Sequence, residues 1–268
     1  MPRFLAAFDN TPWSLICVIS AMFIVGLGKA GFGAGIGIVV TPMMALVVAD
    51  TQEVLALTLV ALFVGDVSSL WVHERSYDKA LLKQLVPAGL VGVVLAAILL
   101  RVLQDNDATR KNLNQILAVA IGSISLAIIA MQAWRLFGGR LPALPAGPRT
   151  SCVIACVEAF ISTLTHSAGV LMTIHLLSKK LSKLHFVTTF LMLFLFVNGG
   201  KVIAYSFVNR LITWDTLAKI GPFLPVIPLG ALAGVWLNKR ISHRPFTVFL
   251  YTIAVATAVR MIVRVFWG

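Results

Sequence analysis

A chain of 268 residues that is 59% hydrophobic and only 12% charged, with mean hydropathy +0.94, cannot cover a water-facing surface; soluble domains carry roughly 25% charged residues. This excludes a soluble enzyme, a nucleic-acid-binding domain and a disordered chain, and at roughly 20 residues per crossing it allows about eight to ten membrane segments. The net charge of +12 would suggest nucleic acid in a soluble protein, but here most basic residues fall in short loops between apolar runs, where they set orientation.

The N-terminus has Arg3 but no small-residue cleavage site before the polar stretch at Asp9, so no cleaved signal peptide is expected. Apolar segments then run over 13–28, 34–49, 54–72, 82–103 and 113–137. The only Pro/Gly-rich stretch follows, and a second set runs over 150–164, 168–178, 184–208, 216–238 and 245–266. Segments 34–49 and 168–178 are short for full crossings. The domain reading is a transmembrane repeat over 1–137, a cytoplasmic linker over 138–149 and a second repeat over 150–268. Three cysteines make no disulfide or metal framework.

The two sets match in detail. An offset of 132 sets Gly33 against Thr165, Gly35 against Ser167, Gly37 against Gly169, Thr41 against Thr173 and Asp66 against Asn198. An offset of 138 sets Pro87 and Gly92 against Pro225 and Gly230. An odd number of crossings per half inverts the second half. The fold class read from this is an all-α polytopic membrane protein of two inverted repeats. Each repeat has about five helical segments and opens with an interrupted or re-entrant hairpin. That layout points to a secondary transporter with its site at the breaks.

Loop charge orients the chain. Twelve basic residues, from Arg75, Lys79 and Lys83 through Lys179 and Lys180 to Arg244, fall on one side. Six fall on the other, with Asp50, Glu53, Asp105 and Asp107 beside them. The first side is therefore expected to be cytoplasmic and both termini periplasmic. Trp13, Trp71, Trp134, Trp214 and Trp267 sit near segment ends, as interfacial anchors do.

The first candidate site is the run from Gly26 to Gly37, with six glycines in twelve residues, followed by Thr41-Pro42. A break there exposes backbone N–H groups that attract an anion, with Gly31, Gly33, Gly35, Gly37 and Thr41 as its members. The competing account is small-residue packing between helices. The second candidate is the matching stretch with Thr163, Thr165, His166, Ser167, Gly169 and Thr173. Its hydroxyls and imidazole either donate to an oxyanion or bond their own helix backbone. Asn198 and Lys201 flank a second loosened spot at Gly199-Gly200, and Lys201 pairs with an anion or with Asp66. Ionisable residues inside apolar segments are functional candidates because their burial is costly. Lys29, Asp66 and Glu158 are accordingly candidates for proton or charge coupling, with snorkelling to an interface as the alternative for Lys29.

The run Gly28-Lys29-Ala30-Gly31-Phe32-Gly33-Ala34-Gly35-Ile36-Gly37 with Thr41-Pro42, and the stretch from Thr165 to Gly169, resemble the TauE/SafE sulfite-exporter family. Asn198-Gly199-Gly200-Lys201 and the closing run from Pro228 to Gly234 are similar to that family's ending. The resemblance implies a bacterial inner-membrane, multi-pass permease for sulfite, sulfonates such as sulfoacetate, or related sulfur-containing anions. Alanine stands at Ala30 and Ala34 where glycine is common in such runs.

The expected mechanism is alternating access, with export favoured, around an anion held between the two hairpins. No cofactor, metal or nucleic acid is expected; the partners are a small anion and lipid, and both a monomer and a homodimer stay open. The rivals are an intramembrane enzyme acting on a lipid or peptide, and an anion channel. Metal-assisted chemistry would want clustered ligands, and adjacent His166 and Ser167 point to different helix faces.

Overall fold

The computed structural model describes residues 11–32, 36–73, 76–110, 112–136, 138, 147–167, 169–238, 240 and 243–267. Among them there is no strand, and the helices follow the apolar segments. They are α1 (Pro12–Phe32), α2 (Gly37–Met44), α3 (Thr51–Val72), α4 (Lys79–Asp105), α5 (Asp107–Arg110) and α6 (Leu113–Leu136). After the linker come α7 (Pro148–Thr165), α8 (Gly169–Ser178), α9 (Lys183–Ile203), α10 (Trp214–Ile220), α11 (Val226–Asn238) and α12 (His243–Trp267). Five of the described helices are long and apolar enough to cross a membrane: α1, α3, α4, α6 and α9 with its extension to Val208. Helices α10 and α11, bent by 47° at their junction, make a sixth when taken together. Pro222 and Pro225 lie at that bend, where the missing N–H groups break the helical ladder.

Polar residues at the loop ends start these helices by taking up free amides. Asp50 accepts from the N–H groups of Gln52 (2.8 Å) and Glu53 (3.2 Å), and Asp78 from Leu81 (2.9 Å). Thr213 and Thr216 form a reciprocal cap on α10. Helix α7 begins with Pro148, which has no N–H to satisfy.

Contacts between helix ends give each helix its direction. Call the end where α1 begins upper. Cys17 near the start of α1 donates to the carbonyl of Met43 at the finish of α2 (3.6 Å), so α2 returns antiparallel. His73 after α3 bonds the Ala30 carbonyl (2.7 Å), so α3 ends beside the lower end of α1. Asp78 N–H donates to Thr189 (2.9 Å), joining the lower starts of α4 and α9. Gln52 N–H reaches Asn114 (3.4 Å), and Asn209 donates to the Ala97 carbonyl (3.0 Å), both in the upper half. Lys179 donates to Ser151 (2.9 Å), so α8 brings the chain back to the lower start of α7. Asn238 donates to the Gly31 carbonyl at the lower end of α1, and Arg264 reaches the Ala45 carbonyl (3.5 Å) above. The chain thus alternates direction along α1, α2, α3, α4 and α6, and again along α7, α8, α9, α10–α11 and α12.

Helix α1 packs on α11, α4 on α7, α3 on α9, and α6 on α12. Close backbone approach makes the first two contacts. A Cβ at Gly26 would fall on the Ile227 carbonyl oxygen, one at Gly230 on that of Phe23, and one at Gly92 on that of Cys156. Outward faces are apolar: Val91, Val94, Leu95, Ile98 and Val102 form an exposed stripe at helical spacing on α4, as a surface bathed in lipid requires. Exposed tryptophans mark both ends, with Trp13, Trp214 and Trp267 above and Trp71, Trp134 and Trp236 below. The protein is an all-α, multi-pass membrane protein.

Candidate functional site

The start of α2 and the end of α7 meet inside the bundle. A Cβ at Gly37, the first residue of α2, would fall on the carbonyl oxygen of His166. Only glycine lets that approach happen. Helix α7 ends there because His166 takes left-handed geometry (φ 55°) while its N–H bonds the Ser162 carbonyl at 2.9 Å. A non-glycine residue in this conformation is held by its surroundings and marks a functional candidate. Its ring meets the Leu55 carbonyl of α3 through Nε2 at 2.9 Å, and its buried Nδ1 has no partner among the described residues. Tyr205, one turn beyond Lys201 where α9 widens into a π-turn (Ala204–Val208), donates to the Thr163 carbonyl and lies 6.2 Å from the His166 ring.

Around this junction lie four charged side chains, none more than 5% exposed: Lys29, Asp66, Glu158 and Lys201. Lys29 is fully engaged. Its ammonium donates to the Leu62 carbonyl at 2.8 Å and pairs with Asp66 Oδ1. Asp66 Oδ2 accepts from Asn198 at 2.7 Å. Lys29 therefore does not snorkel, and Asp66 takes Lys29 as its ion-pair partner. Lys201 is placed differently. Its ammonium donates to the Ser162 hydroxyl at 2.8 Å, and the opposing charge that acts on it most strongly is Glu158, one turn before Ser162 on α7. Glu158 and Lys201 make no ion pair within 4 Å, and Glu158 Oε1 is buried without a hydrogen-bond partner among the described residues.

The remaining sequence candidates divide by what their polar atoms do. Thr163, Thr165 and Thr173 donate to carbonyls four residues earlier (2.6, 2.9 and 3.1 Å), the intrahelical bond that threonine makes in apolar surroundings. Ser167 bonds Ser125 of α6 at 2.9 Å and the Thr165 carbonyl at 3.1 Å. Thr41 is buried on α2 beside Pro42, with its hydroxyl unpartnered among the described residues. Gly31 lies against Gly234 of α11, and Gly169 opens α8. Gly33 and Gly35 lie outside the described residues. The centre therefore gathers Lys29, Asp66, Glu158, His166, Asn198 and Lys201 from four helices, with Gly37 and Thr163 at its edge.

The candidate stretch in the sequence begins at Ser162 but does not single that residue out, and Tyr205 lies outside every candidate stretch. Helical spacing was the available signal, since Ser162 is four residues from Glu158 and Tyr205 four from Lys201. The carbonyls of Leu55 and Leu62 left no signal, because a backbone acceptor is the same in every residue. Among the described residues, no three His, Cys, Asp or Glu side chains are placed to hold a metal ion.

These buried charges lie inside a multi-pass helical bundle. The profile of the sulfite exporter TauE/SafE family matches residues 18–261. The chain belongs to that family. The match runs from α1 into α12 and so takes in both hairpins and all four buried charges. No curated protein and no solved structure matches the chain. Membership in the TauE/SafE family makes this a membrane transport protein of the sulfite-exporter type.

Proposed function

We propose that the protein exports sulfite, sulfoacetate or a related sulfur-containing anion across the bacterial inner membrane, by alternating access of two inverted halves around the centre. The observation that carries this is Lys201, buried to 1% exposure, whose one hydrogen-bond partner among the described residues is a neutral hydroxyl. An ammonium held this way in an apolar interior needs a negative charge. The adjacent hairpin junction supplies a donor in the Thr41 hydroxyl.

The helix contacts support the two-fold reading. At offset 132, α1 is the counterpart of α7 and α3 of α9; at offset 138, α4 is that of α11. The α1–α11 contact then has α7–α4 as its mate. Asp66 and Asn198, 132 residues apart, bond each other, as equivalent positions beside a two-fold axis do. His73 and Tyr205, also 132 apart, each bond a carbonyl near the end of the first helix of their half, at Ala30 and Thr163. Helix α1 descends where α7 ascends, the relation of an inverted repeat. With the basic lower end cytoplasmic, both ends of the described chain lie on the periplasmic side.

An anion leaving an inside-negative cell moves downhill by about 2.3 kcal/mol per charge per 100 mV, so the membrane potential favours export over uptake. An intramembrane serine hydrolase is disfavoured because Ser167 and His166 each bond other groups. The test is efflux of labelled sulfite or sulfoacetate from loaded proteoliposomes. Wild-type efflux should be saturable, unlike that of a channel, and lost in Lys201→Ala; efflux equal to that of protein-free liposomes sinks the proposal.

A further inference from the structure

The buried charges of the centre cancel. Two ammonium groups, Lys29 and Lys201, stand with two carboxylates, Asp66 and Glu158. An anion that binds Lys201 therefore leaves the centre with a net negative charge while all four are ionised. A net negative charge in an apolar interior is costly, so a proton entering with the anion restores the balance. The two carboxylates differ as proton acceptors. Both oxygens of Asp66 already accept hydrogen bonds, from Lys29 and from Asn198, and a proton there would break the ion pair that holds α1 to α3. Glu158 holds no ion pair, and its Oε1 is buried with no partner among the described residues.

We propose that Glu158 is a proton site coupled to the anion site: a proton from solvent binds its carboxylate as the anion takes the Lys201 ammonium, and both leave together. The inference rests on the anion-carrier reading. One O–H bond forms on the carboxyl, no bond in the anion changes, and Lys201 remains an ammonium throughout. Ser162 lies between them, bonded to Lys201 and one turn from Glu158, so its hydroxyl is the group that reorients.

The surroundings of Glu158 leave it few other charges to answer to. From α9 it faces Lys201, and Lys29 of α1 and Asp66 of α3 act on Lys201 from beyond. Helix α4 meets this stretch of α7 with Gly89 and Gly92. Helix α8 brings His175, which bonds Ser151 two turns below, and α6 brings Ser125, which bonds Ser167 above. His166 closes the same helix. A dianion carried with one proton still crosses with one net negative charge, whereas a monoanion crosses electrically silent.

The test uses the purified full chain and sulfate, whose charge is constant across neutral pH. Affinity should rise as pH falls, by up to tenfold per unit for one linked proton. A protonated-carboxyl C=O band should appear in the infrared difference spectrum when sulfate binds. Glu158→Gln should bind sulfate with a flat pH profile and without the band, and His166→Gln should keep the slope. A slope retained in Glu158→Gln assigns the proton to Lys201 or elsewhere and overturns the inference. A wild type that binds sulfate independently of pH, without the band, overturns it while leaving the anion site standing. No binding of sulfate, sulfite or sulfoacetate at any pH overturns both readings. Should Glu158→Gln fail to fold, the wild-type infrared band decides alone.

Discussion

Single residues in this protein do work that depends on what lies opposite them. Lys29 and Lys201 are the same side chain at similar burial, yet one is pinned by a carboxylate and a carbonyl and the other by a serine hydroxyl. Two outcomes follow. Asp66→Ala leaves Lys29 as an uncompensated buried charge and should destabilise the protein by about 3–5 kcal/mol, read by denaturation in detergent. The double substitution Lys29→Met with Asp66→Leu should recover most of that loss, because an apolar pair avoids the desolvation of two ions. For Lys201→Ala the cost should appear in transport, with flux lost. The residue types were legible in the sequence as charges out of place in apolar runs. The pairing was not: the sequence leaves Lys201 open to an anion or to Asp66, and only side-chain geometry assigns Asp66 to Lys29.

At the scale of elements, helix starts and helix contacts obey separate rules. Caps such as Asp50 act locally, so Asp50→Ala should cost about 0.5–2 kcal/mol and leave the bundle intact in a melting experiment. The glycine contacts act across the molecule. Gly230→Leu drives a side chain into the backbone of α1 at Phe23, and should lower stability by about 1–3 kcal/mol or more, since overpacking displaces both helices. Gly37→Ala meets the His166 carbonyl; transport should fall well below wild type in the liposome assay while helical content by circular dichroism stays unchanged. All the major helices, and the shortness of α2 and α8, could be read from hydropathy alone. Which glycines face a partner backbone could not, because the same spacing serves a loose loop, a packing seam or both. Gly31 lies in the seam with α11 and Gly37 at the hairpin junction.

For the molecule as a whole, the charge asymmetry of the two ends is the decisive quantity. Lys79, Lys83, Arg149, Lys179 and Lys180 gather below, while Asp50, Glu53, Asp105 and Asp107 accompany the arginines above. Positive-inside bias then predicts that alkaline phosphatase fused after Gly268 is active and green fluorescent protein fused there is dark; the reverse pattern would invert the proposed orientation. Raising the inside-negative potential with a potassium gradient and ionophore should speed outward flux of a dianion.

Composition alone determined that the chain lives in a bilayer, because too few charged groups exist to cover a surface in water. Its periodic apolar runs determined where the helices begin and end, because each crossing must satisfy its own backbone hydrogen bonds. The matched polar positions of the two sets pointed to the breaks as the place of function. Tertiary structure decided which charges are already compensated. Ion pairing acts over a few ångströms between helices far apart in sequence, and no local pattern encodes which carboxylate reaches which lysine. That assignment leaves Lys201 for an anion and Glu158 for a proton.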